Sequence, residues 1–345
     1  MKSRNIAVSV ALAVMLHGCN PPETIVTNIV HPDGSVTRRV EMRSSTDSIR
    51  VDQSRVPIDT TWLINDYVEI SEEGDTTFVM TAEKLFQDAE EINEEYRKGN
   101  DVNSFIKRSV CYERRFRWFV TYYRFSERFE KTIEGGLPLK DYLEVEEMEF
   151  LALPDFVSGL LLEGPDSLRY RALSERIDSV VSEWFRLGLI SSFIHNATGL
   201  LEAEGADWKV IEEFRSKEAE LAEMYVFDID TDSIVGIVFR KIIEAGYRGV
   251  IDSALMVVSD GIDRHWSIRS YTLKSVMPGK LKGGNGYFEN PGEVAWQVKG
   301  ELFLFDEFEF WAESYLQNIW AWVVSGVIVL IVVSGLLPRR LSRRQ

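Results

Sequence analysis

The residues best suited to recognition chemistry in this 345-residue chain lie between Arg114 and Phe125, RRFRWFVTYYRF, where arginines are interleaved with rings. Guanidinium groups offer a planar fork of donors to carboxylates and phosphates, and aromatic faces take up cations and apolar groups. Arg115, Phe116, Arg117, Trp118, Tyr122 and Arg124 are therefore the candidate ligand-binding surface, for a phosphate, a glycan or a lipid headgroup. From Ser104 to Lys131 the chain carries eight basic and three acidic residues, the one strongly basic block in its body. The competing reading is a half-buried strand whose arginines lie along a sheet and pair with nearby carboxylates, the commoner fate of a charge run.

Other motifs suggest chemistry and fall short of it. Asp228-Ile229-Asp230-Thr231-Asp232-Ser233 starts like a calcium loop, but Ser233 replaces the sharp-turn glycine and Phe239 the closing glutamate. Helix capping explains these acids. His195 sits in an apolar helical run, and His265 has Asp260 and Asp263 nearby but no nucleophile at a recognisable spacing. Gly279-Lys280 lacks the context of a phosphate loop, and Asn196-Ala197-Thr198 is a glycosylation sequon only in a eukaryotic secreted chain. The expectation is a non-enzymatic protein with no metal and no cofactor. A hydrolase working through an acidic pair is the least supported alternative.

The two ends suggest where the body resides. Lys2 and Arg4 precede an apolar run from Ile6 to Leu16, and Leu16-His17-Gly18-Cys19 resembles a bacterial lipobox. Residues 1–18 are thus expected to be a signal peptide and Cys19 the lipidation site. Cys111 then has no partner for a disulfide and is expected to be a buried, inert thiol. Near the other end, Ile319–Leu337 carries no formal charge, and a helix of that length crosses roughly 30 Å. Trp311, Tyr315, Trp320 and Trp322 crowd its start, Pro338 is placed to stop it, and Arg339, Arg340, Arg343 and Arg344 follow. Residues 319–337 are expected to be a transmembrane helix and 338–345 a short basic cytoplasmic tail. That makes the chain a single-pass protein of the bacterial inner membrane, with its body on the extracytoplasmic side.

The elements that must position the arginine and aromatic run are legible from periodicity. Thr24 to Val30 and Ser35 to Met42 flank His31-Pro32-Asp33-Gly34, a hairpin signal. Asp47 to Thr60 has no period, and Tyr67 to Met80 reads as extended, broken at Glu73-Gly74-Asp75. A helix is expected over Ala82 to Lys98 with Thr81 as N-cap, and a long strand or bent pair over Ser109 to Lys131. From Gly135 to Gly261 the pattern is helical, with 11 basic and 25 acidic residues. Its best helix is Ser167 to Gly188; Asp207 caps a second, and Asp232 or Ser233 a third that Gly246 ends. Strands return over His265 to Val276, Val294 to Val298 and Leu302 to Phe310. The fold class expected is α+β: an antiparallel β-rich domain in two halves, 20–134 and 262–316, with a helical bundle, 135–261, inserted between them, plus the C-terminal transmembrane helix.

Met277-Pro278-Gly279, Asn285-Gly286 and Val294-Ala295-Trp296, with a lipobox in front and an apolar helix and basic tail behind, make the two β-rich parts resemble the LppM-type bacterial lipoproteins. Asp33-Gly34 matches the turn of their N-terminal hairpin; the helical insert departs from them. The resemblance implies an α+β domain comparable to lipid-binding folds, associated with glycolipids or envelope lipids and without catalytic residues. The expected function is a membrane-tethered cell-envelope lipoprotein that binds a lipid or glycolipid. The alternative is an assembly subunit that docks an envelope protein partner through its helical insert. Outside the anchors, 33 basic residues stand against 55 acidic ones, so nucleic acid is not an expected partner.

Overall fold

The computed structural model describes residues 22–46, 49–98, 106–224 and 236–341, with side chains as far as Ser334. Cys19, the signal segment and the acidic run Asp228–Ser233 lie outside the described residues.

The first hairpin, β1 (Glu23–Val30) and β2 (Val36–Ser44), turns through Gly34 at φ 104°, a conformation that glycine adopts without strain. Val26, Val36, Val40 and Met42 alternate with more exposed residues and are fully buried. A second hairpin joins β3 (Leu63–Ile70) to β4 (Thr76–Phe86). Late in the chain come β7 (Tyr271–Val276), β8 (Lys280–Gly284), β9 (Tyr287–Asn290), β10 (Glu293–Val298) and β11 (Phe308–Gln317). The larger sheet has the order β3-β4-β2-β1-β7-β10-β9. It is not purely antiparallel, since β1 pairs parallel with β7. Such a pair needs a long crossover, and the helical region lies within that connection. The smaller sheet takes β5 (Arg108–Phe116), β6 (Val120–Phe129), β11 and β8, in that order. Val40, Met42, Phe86 and Trp296 of the first sheet share a core with Phe125, Phe129 and Phe310 of the second. Ile92 of α1 (Ala89–Lys98) belongs to the same core.

Three expected elements differ. Ala82 to Phe86 is strand, not helix, because Ala82 and Phe86 stand opposite Val40 and Val36 and complete the buried face. His265 belongs to α7 (Arg248–Ser267) rather than to a strand, and two-thirds of Trp266 is exposed on its last turn. Leu302 and Phe303 form a 3-10 turn, and the strand begins only at Phe308.

The helical unit comprises α2 (Val145–Leu151), α3 (Asp155–Glu163), α4 (Ser167–Ala203), α5 (Trp208–Ser216), α6 (Glu218–Met224) and α7. Asp207 caps α5 by accepting from Lys209 N, and Gly246, at φ 97°, marks a kink before α7. Gly188 does not end α4, which continues through Ala203. Space is what requires glycine there: a Cβ would lie 2.1 Å from the Phe305 ring, which Gly136 confines on another side at the same distance. Phe305 meets Trp184 edge-on at 5.1 Å and so ties the loop before β11 into the helical core.

The transmembrane expectation is corrected. The chain is helical over Ile319–Leu341, here α8, and Pro338 does not stop it. Among the described residues, however, no helix is long and apolar enough to cross a membrane. The first turns of α8 are engaged by protein: Ala321 is fully buried, and Trp320, Trp322 and Ser325 contact the β5–β6 turn. The single-pass inner-membrane topology and the cytoplasmic tail rested on that span and are withdrawn with it.

Candidate functional site: a cationic pocket beside an aromatic cap

The basic block folds as β5 and β6, and strand alternation sorts its residues by face. Val110, Tyr123, Phe125, Glu127 and Phe129 point into the core. On the other face, register aligns two rows across the smaller sheet. Arg115, Tyr122, Tyr315 and Lys280 are successive neighbours, as are Glu113, Arg124 and Glu313. Arg115, Arg117, Tyr122 and Arg124 line a pocket of about 170 Å³ together with Glu113, Tyr123, Lys282 and Glu313.

Most charges in the pocket are matched. Arg115 bonds to Glu113 at 2.5 Å, and Lys282 to Glu313 at 3.0 Å. Arg124 spans Glu309 and Glu313 at 3.1 and 3.2 Å while lying 4.6 Å over the Trp311 ring. Lys282 also sits 5.4 Å over Tyr122. Hydrogen bonds from Lys282 and Arg124 hold the Glu313 carboxyl below its usual range, so it is ionised at neutral pH. The Arg117 guanidinium makes no ion pair or hydrogen bond with another described residue. Four basic residues against two acidic ones leave the pocket cationic.

Phe116 and Trp118, the other two candidates, do not enter the pocket; they pack on α8. Phe116 stacks on Trp320 at 6.3 Å and Trp118 meets it edge-on at 5.1 Å, with Trp118 Nε1 donating to Ser325 Oγ at 2.9 Å. Phe119 lies 4.4 Å from Trp322. Asn318 fixes the junction: its backbone N–H donates to Phe119 O and its amide to Arg117 O, both at 2.8 Å. Thr121 Oγ1 donates to Asn318 Oδ1 at 3.0 Å. Phe116, Trp118, Phe119, Trp320 and Trp322 all remain more than a third exposed. The six candidates therefore divide into the rim of a cationic pocket and an apolar cap next to it.

Behind the site lies a buried polar network that periodicity alone did not single out. Arg38 reaches Glu127 at 2.9 Å with both side chains 1% exposed, and donates from Nε to Asn28 Oδ1 at 2.7 Å. Tyr96 donates to Glu127 Oε1 at 2.7 Å, and Arg108 lies 4.0 Å over the Tyr96 ring. Arg108 also donates to Tyr271 Oη at 3.3 Å and to the Arg55 carbonyl at 2.7 Å. Burial alone would depress the Arg38 pKa, but the Glu127 carboxylate and the hydrogen bond to the Tyr96 hydroxyl hold it above its ordinary value. Burial pushes the Tyr96 and Tyr271 phenols well up, so both stay neutral. A signal for Arg38 was present: it occupies the core phase of Val36, Val40 and Met42.

The remaining candidates do not converge. His195 is exposed on α4, whereas His265 is buried between Phe185, Trp266 and the backbone at Gly300. Burial lowers the His265 pKa, with Glu301 opposing. Cys111, expected to be buried, is exposed, because its neighbour Val110 takes the core-facing position on β5. Partial burial, then Glu113 and Glu309, raise its pKa, which disfavours the thiolate. Ala197 and Thr198 of the sequon are buried in α4. No group of three or more His, Cys, Asp or Glu among the described residues could hold a metal ion. The turn residues Asn285 and Gly286 serve packing. Trp296 Nε1 and Trp311 N both donate to Asn285 Oδ1, and a Cβ on Gly286 would lie 2.2 Å from Trp296 Nε1.

No protein-family model matches the chain. No curated protein matches it. Among solved structures, the folded domain of LppM from Mycobacterium tuberculosis aligns with 87% of this chain and 92% of its own length, at 8% identity and a TM-score of 0.28. That is a weak likeness of fold.

Proposed function

We propose that this chain is a non-enzymatic binding module that takes the polar, anionic head of a lipid or glycolipid at the β5–β6 pocket. The observation that carries the proposal is that Arg117, which lines the cationic pocket and is unpaired among the described residues, stands in the chain between Phe116 and Trp118 of the exposed apolar cap that Phe119, Trp320 and Trp322 complete. An amphiphile presents the complementary pair of surfaces. A pocket of about 170 Å³ suits a headgroup and is below the size of sites that enclose a whole drug-sized ligand. The acyl portion would then lie on the aromatic cap. Acylation of Cys19 is part of the same proposal and would keep the pocket close to a bilayer; the intact mass of the mature chain reads it directly.

Native mass spectrometry with lipid extraction on the full chain, purified in mild detergent, tests the proposal. A stoichiometric adduct of an anionic lipid or glycolipid is the expected result. A bare protein mass that stays bare after incubation with anionic lipids would contradict it.

A further inference from the structure

A sheet edge presents a row of unpaired backbone donors and acceptors, and folded proteins guard such rows with short strands, bulges, charges or covering elements. Three of the four edges here are guarded. β9 has four residues, and its pairing with β10 shifts between Glu293 and Val294. β8 carries Lys280 and Lys282 and pairs with β11 through a shift between Glu313 and Ser314. β5 is covered by α1, whose Asn93 amide donates to Val110 O at 3.0 Å and whose Oδ1 accepts from Val110 N at 2.6 Å, as a further strand would.

β3 is the least guarded: its charges are two carboxylates, Asp66 and Glu69, the latter paired with Arg43 at 2.8 Å on its own sheet, and it has no shift and no covering element among the described residues. Its eight residues, LINDYVEI, pair with β4 along their whole length without a shift and include no lysine, arginine or proline. All eight are exposed, with Leu63 at 66%, Val68 at 51% and Ile70 at 72%. Ile64 and Asp66 stand opposite the buried Ala82 and Met80, so the face of Ile64, Val68 and Ile70 continues the core face of the sheet. Among the described residues β3 has no neighbour on its outer side.

We propose that β3 pairs antiparallel with β3 of a second copy of this chain, joining two seven-stranded sheets across a twofold axis. The strand's own sequence names the occupant. With the axis at Tyr67, Ile64 stands opposite Ile70 of the second copy, Asp66 opposite Val68, Asn65 opposite Glu69, and the two Tyr67 side chains meet. Apolar pairs then close both ends and no carboxylate faces another. Moving the axis to Asp66 would set two carboxylates opposite each other, which disfavours pairing. Moving it to Val68 loses both Ile64 to Ile70 pairs. The proposal is independent of the pocket on the smaller sheet.

Density-matched sedimentation equilibrium of the full chain in detergent tests it, with a concentration-dependent dimer expected. Ile64→Lys with Ile70→Lys sets lysine opposite lysine at both ends and should weaken the dimer roughly ten- to hundred-fold. Ile64→Lys with Ile70→Glu sets opposite charges at the same places and should return affinity to within about threefold of the parent. A monomer at every concentration would overturn the proposal, as would equal dimer affinity in all three proteins. Equal weakening in both variants with unchanged far-UV circular dichroism would overturn it as well. If the double-lysine variant does not fold, the Lys/Glu variant decides alone: parent-like affinity supports the pairing and loss of the dimer overturns it.

Discussion

Glu127→Gln is the most informative single perturbation of the fold that supports the site. Glu127 is the carboxylate that meets Arg38 at 2.9 Å and Arg108 at 4.0 Å, with all three side chains no more than 3% exposed. Tyr96, which bonds to both Glu127 and Arg38, is neutral and supplies no compensating charge. Removing one partner of a buried pair leaves the other desolvated and uncompensated, at about 3–5 kcal/mol. An independent route agrees: unit charges about 4 Å apart interact by roughly 4 kcal/mol at an effective dielectric of 20. Glutamine retains the shape and part of the hydrogen bonding, so about 3 kcal/mol is the expected loss. For a chain of this size that corresponds to a fall in Tm of roughly 4 °C. Tryptophan fluorescence during a thermal ramp reads it, with a urea titration as a second measure. A fall in Tm below about 2 °C would mean that the carboxylate is not what holds two buried arginines between the sheets. Arg38→Met with Glu127→Leu replaces the closest pair by apolar groups and should lose less than Glu127→Gln alone.

Two further outcomes follow from the packing. Gly188→Ala pushes a methyl into the Phe305 ring, which Gly136 confines on another side, and should cost about 1–3 kcal/mol of stability in chemical denaturation; an unchanged midpoint would show that Phe305 can move. His265 titrates below its ordinary 6.5 in the folded chain, chiefly through burial, so the unfolded chain takes up its proton first. Stability should be full above about pH 6.5 and fall as the solution becomes more acidic, and His265→Gln should flatten the part of the fall that this ring causes. Urea midpoints at pH 7.5 and pH 5.5 compare the two proteins, and identical slopes would assign the effect elsewhere.

How far the chain could be read in advance depended on whether local chemistry or distant packing decides each segment. The first hairpin was legible because Gly34 supplies a positive φ and valines alternate on both sides. The β5–β6 pair was legible because its aromatic and β-branched residues run without glycine or proline. Ala82 to Phe86 was not, since helix-forming residues there are drawn into a strand by pairing with β2. Gly188 looked like a helix end, whereas its role is to admit a ring from a loop more than a hundred residues away. Ile319 onward looked like a span because composition does not show that its first turns pack on the β5–β6 turn. Of the six candidate surface residues, alternation could place Tyr122 and Arg124 on one face, whereas Arg115 joins them only through the register of the β5–β6 hairpin. Only the fold brings Lys282 and Glu313 to them and turns Phe116 and Trp118 toward α8.

The central claim, recognition of an anionic amphiphile by the β5–β6 pocket, is tested most directly by flotation with vesicles of phosphatidylcholine alone or mixed with phosphatidylglycerol. Arg115→Glu with Arg117→Glu changes two pocket residues that are exposed to solvent, and it leaves the aromatic cap intact. The parent chain should float preferentially with the anionic vesicles, and this preference should fall off with salt and be lost in the charge-reversed variant, while any charge-independent association through the apolar cap stays equal in the two. Equal anionic preference in parent and variant would contradict the account.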